Sequence, residues 1–337
     1  MKKKIVLAVL IVILVVVILA GFWGYRAVIK PNVVTPGQSD FSLYIPTGAN
    51  FEQVRDSLYF NNLIVNPTSF EWWADLRDYP FHVKPGRYIV KNGMSNRQLC
   101  NMLNGGLQTP VKVTFNNIRD VAMLAGRIGE QIEADSIEIM NYLNDVANLA
   151  DLGFTRQTIP AMFLPNTYEF YWNTNAAQFT EKMKKEYDKY WNEERLAQAK
   201  EVGLTPIQVS ILASIVDKET NKTDEMAKIA GVYLNRLRNG WLLQADPTLV
   251  FAVGDFGLKR VLNVHKEVES PYNTYKYHGL PPGPICIPSL AAINSVLNAE
   301  KHNYYYFCAK DDFSGYHVFA KTLTEHNRNA EKYRRKL

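Results

Sequence analysis

The hydrophobic pattern changes character abruptly near residue 30. Ile5 to Trp23 is an unbroken run of 19 residues without a charged or strongly polar side chain. A helix needs about 20 such residues to cross a bilayer core. Lys2, Lys3 and Lys4 precede the run, and Phe22, Trp23 and Tyr25 stand where an interfacial aromatic belt falls. A cleaved signal has an apolar core of only ~7–15 residues and a small-residue cleavage site. Here bulky Phe22 and Trp23 follow Ala20-Gly21, so the run reads as a retained anchor, with the short basic tip before it making up residues 1–30. Three lysines before the span, against Arg26 and Lys30 after it, put the N-terminus in the cytoplasm and the bulk of the chain outside it.

Residues 31–40, rich in Pro, Gly and polar side chains, read as an exposed linker. Phe41, Tyr44 and Ile45 then suggest a strand ending at Pro46, and Asn50 caps a helix carrying Phe51, Val54 and Leu58. A second helix is expected over Ser69–Leu76, a turn into a strand at Pro85–Val90, and a helix capped by Ser95 that stops at Gly105-Gly106. This small unit covers 41–109. Val111–Phe115 alternates with period two and opens a larger domain, 110–337, with helices around 120–133, 136–148 and 176–200, the last long and charged. The fold class is α+β.

Thr205-Pro206-Ile207-Gln208 supplies an N-cap, a proline at N1 and a glutamine at N3, which start a helix. On it Gln208, Ile211, Leu212 and Ile215 share an arc of about 100°. Glu219 lies on that arc over Ile215, while Asp217 points the other way, toward water. Burial disfavours a charged carboxylate and raises its pKa, which makes a general acid near neutral pH. A glutamate so placed also suits a lysine partner or a cap of the next helix. That next helix begins near Thr223 and ends before Gly240, with Met226, Ile229, Ala230, Tyr233 and Leu237 as its buried stripe. Gly231 shares another face with Asn235 and Arg238; close approach of a second segment is one reason to tolerate a glycine there. Beyond it, Leu243–Thr248 is dense in hydrogen-bonding groups, and Tyr272-Asn273-Thr274-Tyr275 precedes a rigid Pro/Gly turn at Gly279–Pro284.

Composition narrows the choices. At 47% apolar and 21% charged the chain is ordinary folded protein. Its net charge of +5 resides wholly in residues 1–30, which carry five basic side chains and no acid. The balanced remainder is a poor candidate for nucleic acid. Basic residues recur at Arg328–Lys336, where they read as a solvated helix face. Three cysteines, at 100, 286 and 308, form neither a metal spacing nor a disulfide framework. Cys286 and Cys308 could bridge; isolated buried thiols are the better reading. His302, His317, Glu325 and His326 show no zinc-type spacing, so no metal or other cofactor is expected.

Several ordered stretches together resemble one family: Ile215–Thr220 (Ile-Val-Asp-Lys-Glu-Thr), Val232–Leu237, Leu243–Thr248, Tyr272–Tyr275 with Gly279–Ile285, Tyr306-Phe307, Gly315–Phe319, and Glu325-His326-Asn327. They resemble the MltG-type (YceG-like) endolytic murein transglycosylases of bacteria, from about residue 40 to the end. The resemblance implies a single-span inner-membrane protein in which a LysM-like subdomain precedes a catalytic domain. It also implies internal cleavage of peptidoglycan glycan strands between N-acetylmuramic acid and N-acetylglucosamine, leaving 1,6-anhydromuramoyl ends and limiting nascent strand length. The family's catalytic glutamate matches Glu219. Asn235, Gln244, Asp246, Thr248, Tyr272 and Asn273 are candidates for holding substrate. Expected partners are glycan strands, the bilayer through residues 5–23, and, by resemblance, cell-wall synthases. A non-catalytic peptidoglycan-binding scaffold is the alternative.

The sequence departs from the family pattern in places. Asp217 stands where a glutamate is usual. Pro160-Ala161-Met162-Phe163-Leu164-Pro165-Asn166-Thr167-Tyr168 lacks the usual Leu-Glu-Gly and has Asn166 for an aspartate. Asn116-Asn117 replaces a Glu-Gly pair.

Overall fold

The apolar N-terminal run, free of proline, continues as one helix, α1 (Lys2–Val28), long and apolar enough to cross a membrane. In this computed structural model, which describes residues 2–258 and 260–336, the chain divides into two units. The first runs to Lys112 and takes in Gln131–Glu133 and Glu169–Thr174; the second holds Val113–Glu130, Ala134–Tyr168 and the chain from Asn175 onward.

In the first unit β1 (Phe41–Ile45) is followed by α2 (Phe51–Phe60), α3 (Pro67–Leu76), β2 (Gly86–Val90) and α4 (Asn96–Gly105). The two strands are antiparallel, with Phe41 opposite Val90 and Ile45 opposite Gly86. Leu43, Ile45, Tyr88 and Val90 turn inward by period-two alternation and meet Val54, Leu58, Phe70, Leu99 and Leu103 from the helices. Asn50 with Gln53, and Ser95 with Gln98, form reciprocal capping boxes that fix where α2 and α4 begin. Gly106 closes α4 in the left-handed conformation.

Residues 31–35 are not the exposed linker that their composition suggests. Pro31 bridges to Ser95 and Val33 to Ile64, and Asn32, Val33 and Thr35 are buried. Two asparagines make this possible by using all of their side-chain hydrogen-bonding groups. Asn32 donates to Asn66 O (3.1 Å) and Asn96 Oδ1 (2.7 Å) and accepts from Asn66 N. Asn96 donates to Ser69 Oγ (3.0 Å) and to the carbonyl of Ala27 (2.7 Å), in the last turn of α1. Trp23 adds an edge contact to Trp72, 4.7 Å between ring centres. The end of α1 is thus built into the first unit.

The second unit contains β3 (Val111–Phe115), whose first two residues belong to the first unit, α5 (Val121–Gly129), α6 (Ser136–Asn144), α7 (Val146–Leu152) and β4 (Asn166–Phe170), whose last two residues belong to the first unit. β3 and β4 pair, with Thr114 on Thr167 and Phe115 stacked on Tyr168. The long helix expected at 176–200 is two, α8 (Ala176–Tyr190) and α9 (Glu193–Val202). Trp191 turns into the core between them, and the Asn192 side chain accepts from Arg195 N to start the second. Asp145 likewise divides 136–148 by capping α7.

At the centre lies α10 (Pro206–Glu219), begun by the Thr205–Gln208 capping box. It is followed by α11 (Thr223–Arg238), α12 (Asp246–Val253), the short α13 (Asn263–Lys266) and α14 (Leu290–Leu297). β5 (Tyr306–Ala309), β6 (His317–Ala320) and the exposed α15 (Leu323–Arg334) complete the unit. α10 is not a one-faced helix: every residue from Val209 to Val216 is buried, because α9, α11, α12 and α14 surround it. Asp217 is half-buried rather than fully solvated; it accepts a hydrogen bond from Ser289, the N-cap of α14. Gly231 is where a close approach was expected. A Cβ there would lie 2.4 Å from the carbonyl oxygen of Glu300 and 2.7 Å from His302 Nε2.

Replacing Asn96 with Ala would leave the Ala27 carbonyl and one Asn32 donor unpaired in the interior. Each such group costs about 1–3 kcal/mol. The expected result is a destabilised first unit, read as faster protease cleavage between residues 28 and 40 in the full chain.

Candidate active site

Glu219 is the last residue of α10; the chain leaves the helix at Thr220 with extended dihedrals. The helix is packed from Val209 to Val216, Lys218 is exposed, and Glu219 is half-buried, its carboxyl set at the edge of the core against a cleft. Across it, Tyr233 of α11 is 2% exposed and donates its hydroxyl to Glu219 Oε1 at 2.5 Å. Burial raises the Glu219 pKa from 4.5 to about 7; nearby Asp246 pushes the same way, while Tyr233 and the Arg236 guanidinium oppose it. The C-terminal end of a helix also disfavours a negative charge. Arg236, one turn beyond Tyr233, is fixed by the carbonyls of Tyr305 and Leu243, each at 2.7 Å. It therefore acts as a stationary positive charge.

Glu219, Tyr233 and Arg236 share a cavity of about 410 Å³ with Gln244, Asp246, Tyr275, Tyr306, His317 and His326. Gln244 takes a left-handed backbone, φ 49°, and its N–H is held by Thr274 O, which turns Asp246 toward the cleft. Asp246 accepts the Tyr275 hydroxyl at 2.5 Å. His317 is oriented by buried Glu225, which receives both the His317 backbone N–H (2.9 Å) and its Nδ1 (3.1 Å). His326 stacks on Tyr306, and burial lowers its pKa below 6.5.

Glu219 and Asp246 also line a second cavity of about 1100 Å³, floored by Val250, Phe251, Phe256, Leu258, Val261 and Ile285 and rimmed by Arg119, Lys218, Arg260 and Arg334. Arg119 and Phe251 continue into a third, of about 280 Å³, which Tyr272 and Arg156 border. The three share walls in sequence and make an open, extended depression with Glu219 between the first and second.

Of the residues singled out in the sequence, the structure brings Gln244 and Asp246 beside Glu219 and places Tyr272 in the third cavity, against Phe251. Asn235, Thr248 and Asn273 have their side chains on other partners. Asn235 donates to His302 O and Tyr304 O, Thr248 meets Ala245 O and Thr274, and Asn273 folds the 266–275 loop through Lys266 O and Val268 O. Tyr233, Arg236, Tyr275, Tyr306, His317 and His326 were not singled out for the site. For Tyr233 a signal existed: a tyrosine in a buried stripe needs a partner for its hydroxyl. His302 is held by Lys228 O and Glu325 caps α15, so neither joins the histidines of the cleft. All three cysteines are free thiols, Cys100 and Cys286 buried.

A model of the YceG-like family matches residues 43–332. The chain belongs to the YceG-like family. It is 26% identical over 332 residues to the endolytic murein transglycosylase of Bacillus subtilis, covering 94% of this chain and 91% of that protein. Identity to the endolytic murein transglycosylase of Streptococcus pneumoniae serotype 2 is 28%, over 93% of this chain but only 62% of that longer protein. The crystal structure of a YceG-like protein from Listeria monocytogenes superposes with a TM-score of 0.56 at 25% identity, over 86% of this chain and 99% of the other. Family membership supports endolytic peptidoglycan transglycosylase activity at the level of the family. Asn116, Asn117 and Asn166 line none of the three cavities, while Pro160, in the stretch without the usual Leu-Glu-Gly, lines the third.

A carboxyl whose pKa is raised in the folded chain holds its proton while the unfolded chain has lost it, so folding stability falls from about pH 4.5 to 7 and levels off above. Glu219→Gln removes this dependence. Its thermal stability relative to wild type is expected to rise across that window and to be greatest at pH 8. Tyr233→Phe removes a donor that favours the carboxylate, and should move the upper end of the window above 7.

Proposed function

We propose that this protein is a membrane-anchored lytic transglycosylase that cleaves peptidoglycan strands internally, with Glu219 as its sole acid–base group. The observation that carries this reading is one carboxyl, half-protonated near neutral pH, at an open, elongated cleft. Protonated Glu219 donates to the glycosidic oxygen between N-acetylmuramic acid and N-acetylglucosamine. The bond to muramoyl C1 breaks, and the departing glucosamine keeps the proton as its 4-hydroxyl. The muramoyl C6 oxygen then closes on C1, and its proton returns to the Glu219 carboxylate. Acid and base are the same group and the nucleophile is part of the substrate, so no water enters and a 1,6-anhydro ring results. Tyr233 orients the carboxyl. Arg236 and Asp246 set the balance of charge around it, and Gln244 is placed to hold sugar hydroxyls.

In this reading α1 spans the cytoplasmic membrane with its N-terminus inside, and the strand–helix–helix–strand first unit is a LysM-like module on the outer side. Glycan strands and the bilayer are its partners, cell-wall synthases also by family. The test is mass spectrometry of peptidoglycan digested by the detergent-solubilised full chain, beside Glu219→Gln. Wild type is expected to generate 1,6-anhydro ends, and the variant to lose about 10²–10⁴-fold of the rate, the usual contribution of a general acid. Reducing ends would instead mean a hydrolase, with Asp246 the acid available to activate water. Binding to sacculi without cleavage would leave the scaffold reading.

A further inference from the structure

The charge on the large cavity is one-sided. Among the described residues, four cationic side chains, Arg119, Lys218, Arg260 and Arg334, line it, and its two acids, Glu219 and Asp246, both lie at the end shared with the catalytic cleft. Near neutral pH Glu219 is partly protonated, so the excess positive charge is larger than the residue count implies. Arg119 is positioned by Asp120 and by the ring of Phe256, 4.4 Å below its guanidinium. Lys218, Arg260 and Arg334 are exposed, and none of the three joins an ion pair among the described residues. Arg334 comes from the basic C-terminal run, whose sequence reads as a solvated face; its helix brings this one arginine, with Tyr333, to the cavity wall. The floor between the cations is aliphatic and aromatic.

A bare chain of neutral sugars has no use for such a rim. Peptidoglycan differs from other glycans in its short peptides, which branch from alternate sugars and carry free carboxylates beside alanine methyl groups. Guanidinium groups match carboxylates in plane and charge, and the apolar floor suits the methyls. We propose that this cavity is a stem-peptide subsite: Arg260 and Arg334, with Arg119 and Lys218, bind the carboxylates of a peptide on a sugar next to the scissile bond. The subsite makes the enzyme select strands whose stems carry free carboxylates. The inference rests on the transglycosylase reading above and deepens it.

The experiment uses the full chain on soluble glycan strands of two kinds, one with native stems and one with stem carboxylates converted to amides of the same length. Wild type is expected to cleave native strands about five- to tenfold more efficiently in kcat/KM, the difference diminishing in high salt, as a few partly exposed charge pairs would give. In the double variant Arg260→Gln/Arg334→Gln the native-to-amidated ratio should fall to near one, with an unchanged melting temperature showing that it folds. Equal cleavage of both strands by wild type overturns the subsite and leaves the transglycosylase reading intact. So does a double variant that keeps the wild-type ratio. Failure of wild type to cleave either strand removes the activity reading and the subsite with it.

Discussion

The chemistry of the second unit depends on keeping one carboxyl away from water. α10 is surrounded so completely that the eight residues from Val209 to Val216 have no open face, and half-buried Glu219 follows three residues after that packing ends. A carboxyl on a solvated turn would titrate in the ordinary range and be an anion at neutral pH. Here the desolvation that keeps the core dry also holds the proton on the acid. The folding cost of an ionised carboxylate in this place and the availability of a proton for the proposed reaction share one physical cause, the desolvation of Glu219.

Around that carboxyl the groups divide by what holds them. Arg236 is pinned by two backbone carbonyls and Tyr233 by packing, so neither needs to reorganise as charge moves onto or off Glu219. Preorganised dipoles of this kind are worth more in a cleft than mobile ones in water. Buried asparagines play the corresponding structural part. Asn235 ties α11 to the 302–304 segment in the second unit, and Asn32 and Asn96 tie the end of α1 into the first. An amide offers two donors and an acceptor on a short, rigid stem, which lets irregular backbone be buried without orphaned groups.

What could be read from the sequence was mostly local. The capping boxes at Asn50, Ser95 and Thr205 span three residues each, and the strand ends at Ile45 and Phe115 follow from alternation over five. Gly231 announced a close approach because an interior helical glycine carries an intrinsic penalty. Long-range pairing was hidden. Asn32 meets Asn96 across 64 residues and Asp217 meets Ser289 across 72. Composition therefore suggested a loose linker for one pair, and helical periodicity a solvated acid for the other. The break at Trp191 was masked by a charged pattern that continues in phase on both sides. In the site, Glu219 was legible from helical periodicity. Tyr233, Arg236 and His317 were not, because their roles arise from the crossing of α10 and α11 and from the β5–β6 hairpin lying against them.

The two acids at the end of α10 show how position, not residue type, assigns a role. Asp217 and Glu219 are two residues apart on one helix. Asp217 accepts the hydroxyl that caps α14 and so fastens α10 to its neighbour, a short reach for which the shorter acid suffices. Glu219 accepts from Tyr233 and faces the cleft, within reach of the Asp246 and Arg236 charges. Exchanging glutamate for aspartate at 217 therefore alters a packing contact. Asn116 and Asn166 lie outside all three cavities, and Pro160, in the stretch without the usual Leu-Glu-Gly, is buried and lines the third, of which Glu219 is not a part. None of these departures touches the desolvated carboxyl, its tyrosine donor or the fixed arginine. In the proposed reaction the nucleophile comes from the substrate, so no second catalytic acid is required of the protein, and these departures leave the proposed acid–base group in place.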